Sequence, residues 1–158
     1  MKTLFNKITK NVILPLAVAG AFSFNSSAQK IEKTENGFRE YNKNGQVIKE
    51  KKSKDNIIET FELLYNDEGK IIKEEYTRDE NADGKLDFID TRLHEYNYKG
   101  EAVKEKHLTD RNADGKIDYV FNGLYAYNDK GEIIKNIKMI DENADGLIDK
   151  VSISLTDY

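Results

Sequence analysis

Short runs of apolar residues, many of them β-branched or aromatic, alternate along the chain with polar segments that contain glycine. Runs such as Ile71-Ile72, Ile133-Ile134 and 117–121 are typical of β-strands. The alternation of apolar and polar residues within each run is imperfect, so we expect bulges or strands that are partly buried on both faces. The apolar positions themselves recur at a fixed interval: Leu86, Ile117 and Ile148; Ile89, Val120 and Val151; Leu93, Leu124 and Leu155.

Two sequence motifs share this interval of 31 residues. The first motif, Y-N-x-x-G, begins at Tyr65, Tyr96 and Tyr127, and the second, D-x-N-A-D-G-x-x-D, begins at Asp79, Asp110 and Asp141. Two motifs that keep one phase over three copies indicate a tandem repeat rather than a chance similarity.

An earlier copy of the first motif begins at Tyr41, but only 24 residues separate it from Tyr65. The missing seven residues fall where an acidic motif would lie, and Ser53-Lys54-Asp55-Asn56 stands there instead, which we interpret as a plain turn. Tyr158 lies 31 residues after Tyr127 and keeps the phase. Repeat units therefore start near Tyr41, Tyr65, Tyr96 and Tyr127.

The pattern predicts an all-β fold. Each Y-N-x-x-G segment is a short polar turn with a glycine available for positive φ, flanked by strand-like runs, and this favours a β-hairpin. A unit then consists of a turn, a strand, an acidic loop and a returning strand. We expect one domain over residues 29–158, an antiparallel β-meander of tandem 31-residue two-strand repeats, with hairpin turns at one end and acidic loops at the other. The sequence leaves open whether this sheet curls toward a half-barrel.

The first 28 residues have the layout of a bacterial secretory signal peptide. They contain a basic start (Lys2, Lys7, Lys10), an apolar stretch over 12–24, and small residues before a predicted cleavage site at Gln29. The apolar stretch is short for a membrane span. We therefore predict a cleaved leader, no membrane span in the mature chain, and a secreted or periplasmic location.

The net charge limits the classes of partner, and the absence of cysteine limits the ways in which the fold is stabilised. Cleavage removes three of the 25 basic residues and none of the 29 acidic ones, which leaves a net charge of −7. This charge disfavours nucleic acid and anionic membranes as partners. The chain has no cysteine, so disulfides are excluded and stability has to come from packing or from a bound metal.

The acidic motifs have the composition of calcium loops. Calcium takes about six to eight oxygen ligands, so a binding loop has to direct several carboxylates and carbonyls to one point. Acids and amides at alternate positions of a tight turn direct their side-chain oxygens to one point. The glycine allows the chain to reverse, the residue after it provides its main-chain carbonyl as a ligand, and the ninth aspartate closes the site. The predicted ligands are Asp79, Asn81, Asp83, Lys85 and Asp87 in the first loop, Asp110, Asn112, Asp114, Lys116 and Asp118 in the second, and Asp141, Asn143, Asp145, Leu147 and Asp149 in the third.

These loops resemble two known families. Their core is similar to an EF-hand loop, in which an acid at the twelfth position belongs to an exiting helix, whereas the twelfth residues here are Asp90, Phe121 and Ser152 in strand-like surroundings. They are more similar to the D-x-D-x-D-G-x-x-D loops between strands of integrin-type propellers, which close with a ninth aspartate. The resemblance covers the nine residues of each loop and implies Ca²⁺ as the cofactor. Asp87 and Asp90 point to opposite faces of a regular strand, so we do not expect both to be ligands.

The Y-N-x-x-G segments loosely resemble the hairpin repeats of YD-repeat and MORN-variant proteins over residues 38–158. This resemblance implies a sheet-forming array with an interaction role and an unspecified partner.

The acidic loops, the recurring tyrosines and the two histidines also have interpretations that involve no bound ligand. The acidic loops are also compatible with Asn/Asp/Gly turns that bind no metal. A ladder of recurring tyrosines can bind a glycan or peptide, but cross-strand packing is the more frequent role. His94 and His107 lie in predicted strands without a second histidine or a cysteine nearby, so we assign them to a sheet face or surface rather than to zinc or catalysis.

The sequence thus predicts an exported calcium-binding structural or binding module, with calcium and a protein or glycan at the cell surface as partners. It contains no nucleophile and base motif, no phosphate-binding glycine loop and no zinc spacing, so we do not expect an enzyme. The alternative is a metal-independent β-repeat that serves as a protein-interaction or inhibitor module.

Overall fold

The computed structural model describes residues 28–156. It contains one sheet of ten strands in sequence order, each antiparallel to the strand before it. The all-β class and the meander order predicted from the sequence are confirmed. The predicted leader lies outside the described residues, apart from Ala28, and so does Tyr158. The strands are β1 Lys30–Thr34, β2 Gly37–Tyr41, β3 Val47–Lys54, β4 Ile57–Tyr65, β5 Ile71–Asp79, β6 Phe88–Tyr96, β7 Ala102–Asp110, β8 Tyr119–Tyr127, β9 Ile133–Asp141 and β10 Lys150–Leu155.

The two repeated kinds of connection lie at opposite ends of the sheet. The four Y-N-x-x-G turns join β2 to β3, β4 to β5, β6 to β7 and β8 to β9 at one end, and the three acidic loops join β5 to β6, β7 to β8 and β9 to β10 at the other. Between β3 and β4 the plain turn consists of Asp55 and Asn56 alone, with φ of 52° and 61°. Ser53 and Lys54, which the sequence assigns to that turn, belong to β3.

The Y-N-x-x-G turns owe their shape to the asparagine and the glycine. In the turn after β6, the Asn97 side-chain oxygen accepts hydrogen bonds from the main-chain nitrogens of Lys99 (2.9 Å) and Glu101 (3.1 Å). Gly100 has a φ of 79°, a left-handed conformation that costs glycine little. The strand register shifts at Tyr96, which lies opposite Ala102. The same shift occurs at Tyr41, Tyr65 and Tyr127, so the bulges predicted from the imperfect alternation are present in every unit.

The sheet is a single layer. Within the described residues each strand contacts only its neighbours in sequence, so β1 and β10 are free edges and the sheet does not close on itself. Of the apolar side chains in residues 28–156, only Ile48, Leu108 and Met139 are buried, each 8% exposed, and no large side chain in this range is fully buried. Most other strand residues are half-buried on both faces, as expected. None of the described residues forms a helix that could cross a membrane.

The two faces of the sheet differ in composition. One, which we call the aromatic face, carries Phe61 against Tyr76 (ring centroids 4.8 Å apart) and His107 against Phe121 (5.0 Å). The Nε2 atom of His107 also lies 2.7 Å from a carboxylate oxygen of Glu105. The other face, which we call the loop-aspartate face, carries Leu108, Met139 and the first residue of each acidic loop.

Candidate metal-binding loops

Each acidic loop begins with an aspartate that is buried at the end of a strand. Asp79, Asp110 and Asp141 are the last residues of β5, β7 and β9, and are 3%, 2% and 4% exposed. They are therefore more deeply buried than the buried apolar side chains of this sheet. An aliphatic residue of the preceding strand lies directly opposite each of them: Ile58, Ile89 and Val120.

The first aspartate organises the loop that follows it. One oxygen of Asp79, Oδ1, accepts hydrogen bonds from the main-chain nitrogens of Asn81 (3.4 Å) and Asp83 (3.2 Å). The other oxygen, Oδ2, accepts one from the nitrogen of Gly84 at 2.9 Å. These bonds fold the chain around the carboxylate, with Ala82 and Gly84 at φ of 55° and 87°.

The asparagine and the central aspartate continue the same pattern. The side-chain oxygen of Asn81 accepts a hydrogen bond from the nitrogen of Asp83 at 2.9 Å, and Oδ1 of Asp83 accepts one from the nitrogen of Lys85 at 2.8 Å. Each side chain thus bonds the main chain two residues later, as aspartate and asparagine do in turns. The Lys85 side chain forms none of the hydrogen bonds of this network.

The ninth aspartate closes the loop. Oδ2 of Asp87 accepts a hydrogen bond from the nitrogen of Glu80 at 2.7 Å, and the nitrogen of Asp87 donates to the main-chain oxygen of Arg78 at 2.8 Å. The sequence did not reveal that residue 80 would be its partner, because a main-chain donor leaves no trace in the residue type. The closure explains physically why an aspartate stands at this position in all three loops.

The second loop repeats this network. Asp110 accepts hydrogen bonds from the nitrogens of Asn112, Asp114 and Gly115 at 3.4, 3.2 and 2.8 Å. Asp118 accepts one from the nitrogen of Arg111 at 2.7 Å. Lys116 donates its main-chain nitrogen to Asp114 at 2.9 Å.

The third loop keeps the network with one difference. Asp141 accepts a hydrogen bond from Gly146 through Oδ2 at 2.9 Å, but its Oδ1 is buried without a hydrogen-bond partner. Asn143 and Asp145 still accept from the nitrogens of Asp145 (3.1 Å) and Leu147 (2.8 Å). Asp149 closes the loop on the nitrogen of Glu142 at 2.7 Å. A buried carboxylate oxygen without a donor is rare in folded proteins and calls for a water or an ion.

Hydrogen bonds join the predicted ligands of each loop into one turn, but the acidic side chains are not grouped as a metal site. The first, third, fifth and ninth residues of each loop belong to one hydrogen-bonded turn. Among residues 28–156, however, no three acidic or histidine side chains are grouped closely enough to hold a metal ion. Binding of an ion would therefore require the carboxylates of a loop to move closer together than they lie in this structure.

The twelfth residue of the first loop has a different role. Asp90 lies inside β6, where its carboxylate accepts hydrogen bonds from the Thr109 hydroxyl (3.0 Å) and from Nε of Arg92 (3.1 Å). Asp90 thus binds side chains of the sheet, while Asp87 binds the main chain of the loop.

No protein-family model, curated protein or solved structure matches this chain, so its function has to be argued from the geometry of these loops.

Proposed function

We propose that this protein is an exported β-repeat module whose three acidic loops bind calcium and whose sheet is stabilised by those ions. The observation that carries the proposal is the burial of Asp79, Asp110 and Asp141 at one end of a sheet that buries few apolar side chains. A buried carboxylate is costly unless hydrogen bonds or a cation compensate for the water that it loses. The main-chain hydrogen bonds of each loop provide part of that compensation, and a calcium ion would add to it.

The donor set of each loop fits a hard cation. In the first loop the ion would be held by side-chain oxygens of Asp79, Asn81, Asp83 and Asp87 and by the main-chain oxygen of Lys85. All five are oxygen donors, which calcium prefers. Oδ2 of Asp79, Oδ1 of Asp83 and Oδ2 of Asp87 each accept one main-chain hydrogen bond and retain a second lone pair, so an ion can bind these atoms while the turn network is kept.

The third loop gives separate support. Asp141 is only 4% exposed, and its Oδ1 atom is buried without a hydrogen-bond partner. A cation beside this oxygen would remove the penalty of an unpaired buried acceptor, which is typically about 1–3 kcal/mol.

Magnitudes favour a structural role for the ions. A site with a dissociation constant near 10⁻⁴ M, in about 1 mM free calcium, contributes roughly 1.4 kcal/mol. Three such sites would contribute about 4 kcal/mol, against a typical total stability of about 5–15 kcal/mol. For a single-layer sheet this contribution would decide how much of the protein is folded.

The proposed role is structural or binding rather than catalytic, at the cell surface or in the periplasm. Export is inferred from the signal-peptide layout of residues 1–28. Two exposed faces and a net negative charge suit an extended platform for a protein or glycan partner.

A specific observation also favours a second candidate, a metal-independent interaction or inhibitor module. Five main-chain nitrogens of the first loop, those of residues 80, 81, 83, 84 and 85, already have acceptors in Asp79, Asn81, Asp83 and Asp87. A loop that is satisfied in this way holds its shape without an ion.

Thermal unfolding followed by circular dichroism separates the two candidates. The exported chain is melted in EDTA, in 1 mM calcium and in 1 mM magnesium, and calorimetry counts the bound ions. The test variant replaces Asp83, Asp114 and Asp145 with Asn, which keeps the oxygen that accepts the next main-chain hydrogen bond but removes its charge. The control variant makes the same change at the exposed residues Asp55, Asp67 and Asp129, which lie outside the acidic loops.

We expect calcium, but not magnesium, to raise the midpoint by roughly 10–20 °C, as about 4 kcal/mol does in a domain of this size. The control variant should respond like the natural chain, and the test variant should not respond. Identical melts of the natural chain in EDTA and calcium, with no ions counted, would reject calcium binding and favour the second candidate.

A further inference from the structure

Within the part of the chain that the structure describes, β10 is an edge strand with an apolar face that no neighbouring strand covers. Val151, Ile153 and Leu155 point to the loop-aspartate face of β10 and are 55%, 51% and 69% exposed. One repeat earlier, Val120 and Leu124 occupy the equivalent positions of β8 and are half-buried, because β9 covers them from the other side. Another strand beside β10 would cover its apolar residues in the same way.

The opposite edge of the sheet is built differently. β1 carries Lys30, Glu32 and Lys33, all exposed, around its single large apolar residue Ile31. Charged side chains on an edge strand discourage the addition of a further strand. The charge on β10 is confined to its first residue, Lys150, which forms an ion pair with Glu142 of the third loop. β10 therefore lacks the protection that β1 has.

The hydrogen-bonding pattern of β10 also favours the addition of another strand at this edge. The nitrogen of Thr156 donates to the oxygen of Ile134 in β9, so the even-numbered residues of β10 direct their main-chain groups inward. The N–H and C=O groups of Val151, Ile153 and Leu155 then point outward, away from the sheet. The residues with apolar side chains are thus also those with unpaired main-chain groups.

We propose that β10 pairs with β10 of a second copy of this chain, antiparallel and across a two-fold axis, to give one continuous sheet. In this register Ile153 lies opposite the partner's Ile153, and Val151 lies opposite the partner's Leu155. Because the outward-pointing residues meet one another, about six main-chain hydrogen bonds form between the two strands. Apolar side chains meet on one face, and Ser152 meets the partner's Ser154 on the other.

Other arrangements fit less well. A slip by one residue would oppose apolar residues to serines and put the main-chain groups out of phase. Pairing of β10 with β1 of another copy would place apolar residues beside charged ones and would propagate into an open filament. The two-fold pairing closes on itself and gives a dimer.

The test uses the full chain, exported so that any leader is removed, in calcium and again in EDTA. Mass measured by light scattering is compared for the natural chain, for Ile153→Lys and for the control Ile31→Lys on the other edge. We expect a dimer for the natural chain and for Ile31→Lys, and a monomer for Ile153→Lys, in which two like charges would face each other across the axis. Circular dichroism checks that each variant keeps its sheet.

Cysteine cross-linking tests the register without a disruptive substitution, since the chain has no cysteine of its own. Residues in a hydrogen-bonded antiparallel pair have Cα atoms about 5.5 Å apart, which a disulfide spans. Ile153→Cys should form a cross-linked dimer on mild oxidation at least ten times faster than Ser152→Cys or Ile31→Cys. A natural chain that stays monomeric, equal cross-linking at all three positions, or growth into filaments would each overturn the proposal. These readouts concern mass and register, so they are separable from calcium binding.

Discussion

The Tyr96 hydroxyl donates a 2.8 Å hydrogen bond to the main-chain oxygen of Ile71, which lies just after the preceding Y-N-x-x-G turn. The relationship recurs between Tyr65 and Val47 at 2.8 Å and between Tyr127 and Ala102 at 2.7 Å. Each of these three tyrosines therefore connects its own turn to the one before it, whereas the Tyr41 hydroxyl donates to the Glu32 carboxylate of β1. This contact gives the recurring tyrosines a structural reason to keep the interval of the repeat.

Loss of that hydroxyl should be measurable. We expect Tyr96→Phe to lower the free energy of unfolding by about 1 kcal/mol, because the ring stays and only the hydrogen bond is lost. Tyr98→Phe is the matched control, since Tyr98 is 90% exposed. Urea unfolding of the two variants provides the comparison, and equal stabilities would show that the hydrogen bond contributes nothing.

Removal of a buried loop carboxylate should lower the free energy of unfolding more than removal of the Tyr96 hydroxyl. Asp110→Ala leaves the main-chain nitrogens of Asn112, Asp114 and Gly115 without their acceptor. We expect a loss of at least about 2 kcal/mol, even in EDTA, since buried donors without partners are costly. Asp129→Ala, at an exposed turn residue, should change the stability by less than about 0.5 kcal/mol.

Gly37→Ala tests a close approach of two strands. A Cβ atom added at Gly37 would lie 1.8 Å from the main-chain oxygen of Lys51, which cannot move without opening the pairing of β2 with β3. At Gly123 the added atom would instead meet the flexible side chain of Tyr125, at 2.8 Å. Amide hydrogen exchange should therefore accelerate over β1 to β3 in Gly37→Ala, and should stay slow there in Gly123→Ala. Unchanged exchange in Gly37→Ala would contradict so close an approach of β2 to β3.

Alkaline pH should weaken the aromatic face. Burial, together with a hydrogen bond to Glu59, raises the pKa of Tyr76 to about 12, and burial with a hydrogen bond to Glu105 raises that of Tyr125 to about 12. A raised folded pKa means that the neutral hydroxyl favours the folded state. Its contribution is complete below the unfolded pKa near 10 and is lost as the pH rises toward 12.

Urea unfolding between pH 9 and 12 measures this loss. The double variant Tyr76→Phe/Tyr125→Phe should lose less stability over that range than the natural chain, because the two phenylalanine rings have no hydroxyl to ionise. Tyr98→Phe should follow the natural chain. The same slope in all three proteins would contradict the assignment.

Much of the fold was predictable because the repeat itself marks the turns. Asn97 and Gly100 identify a hairpin by their own chemistry, and the phase of the copies places the strands between the turns. The hairpin of β1 and β2 precedes Tyr41 and shares no motif with the repeats, so nothing in the pattern predicted it. The single-layer arrangement was also not predicted, since half-buried positions give the same imperfect alternation in one layer or two.

The residues of the acidic loops were predictable from the sequence, but the geometry of the loops was not. The sequence identified Asp79 and Asp87 as members of one loop, and the structure joins both to the loop's main chain. It did not predict that Asp79 would be buried opposite Ile58, because that depends on the register between β4 and β5. It also did not predict that Asp141 alone keeps an unpaired oxygen, since the three motifs are the same at their key positions.

Because each strand contacts only its neighbours in sequence, the described fold contains no contact that has to wait for a distant part of the chain. Chains dominated by local contacts fold quickly. As the polypeptide emerges from a ribosome or a translocation channel, each new strand can add to the edge already formed. The sheet can therefore fold strand by strand from its N-terminal end, while the rest of the chain is still being synthesised or translocated.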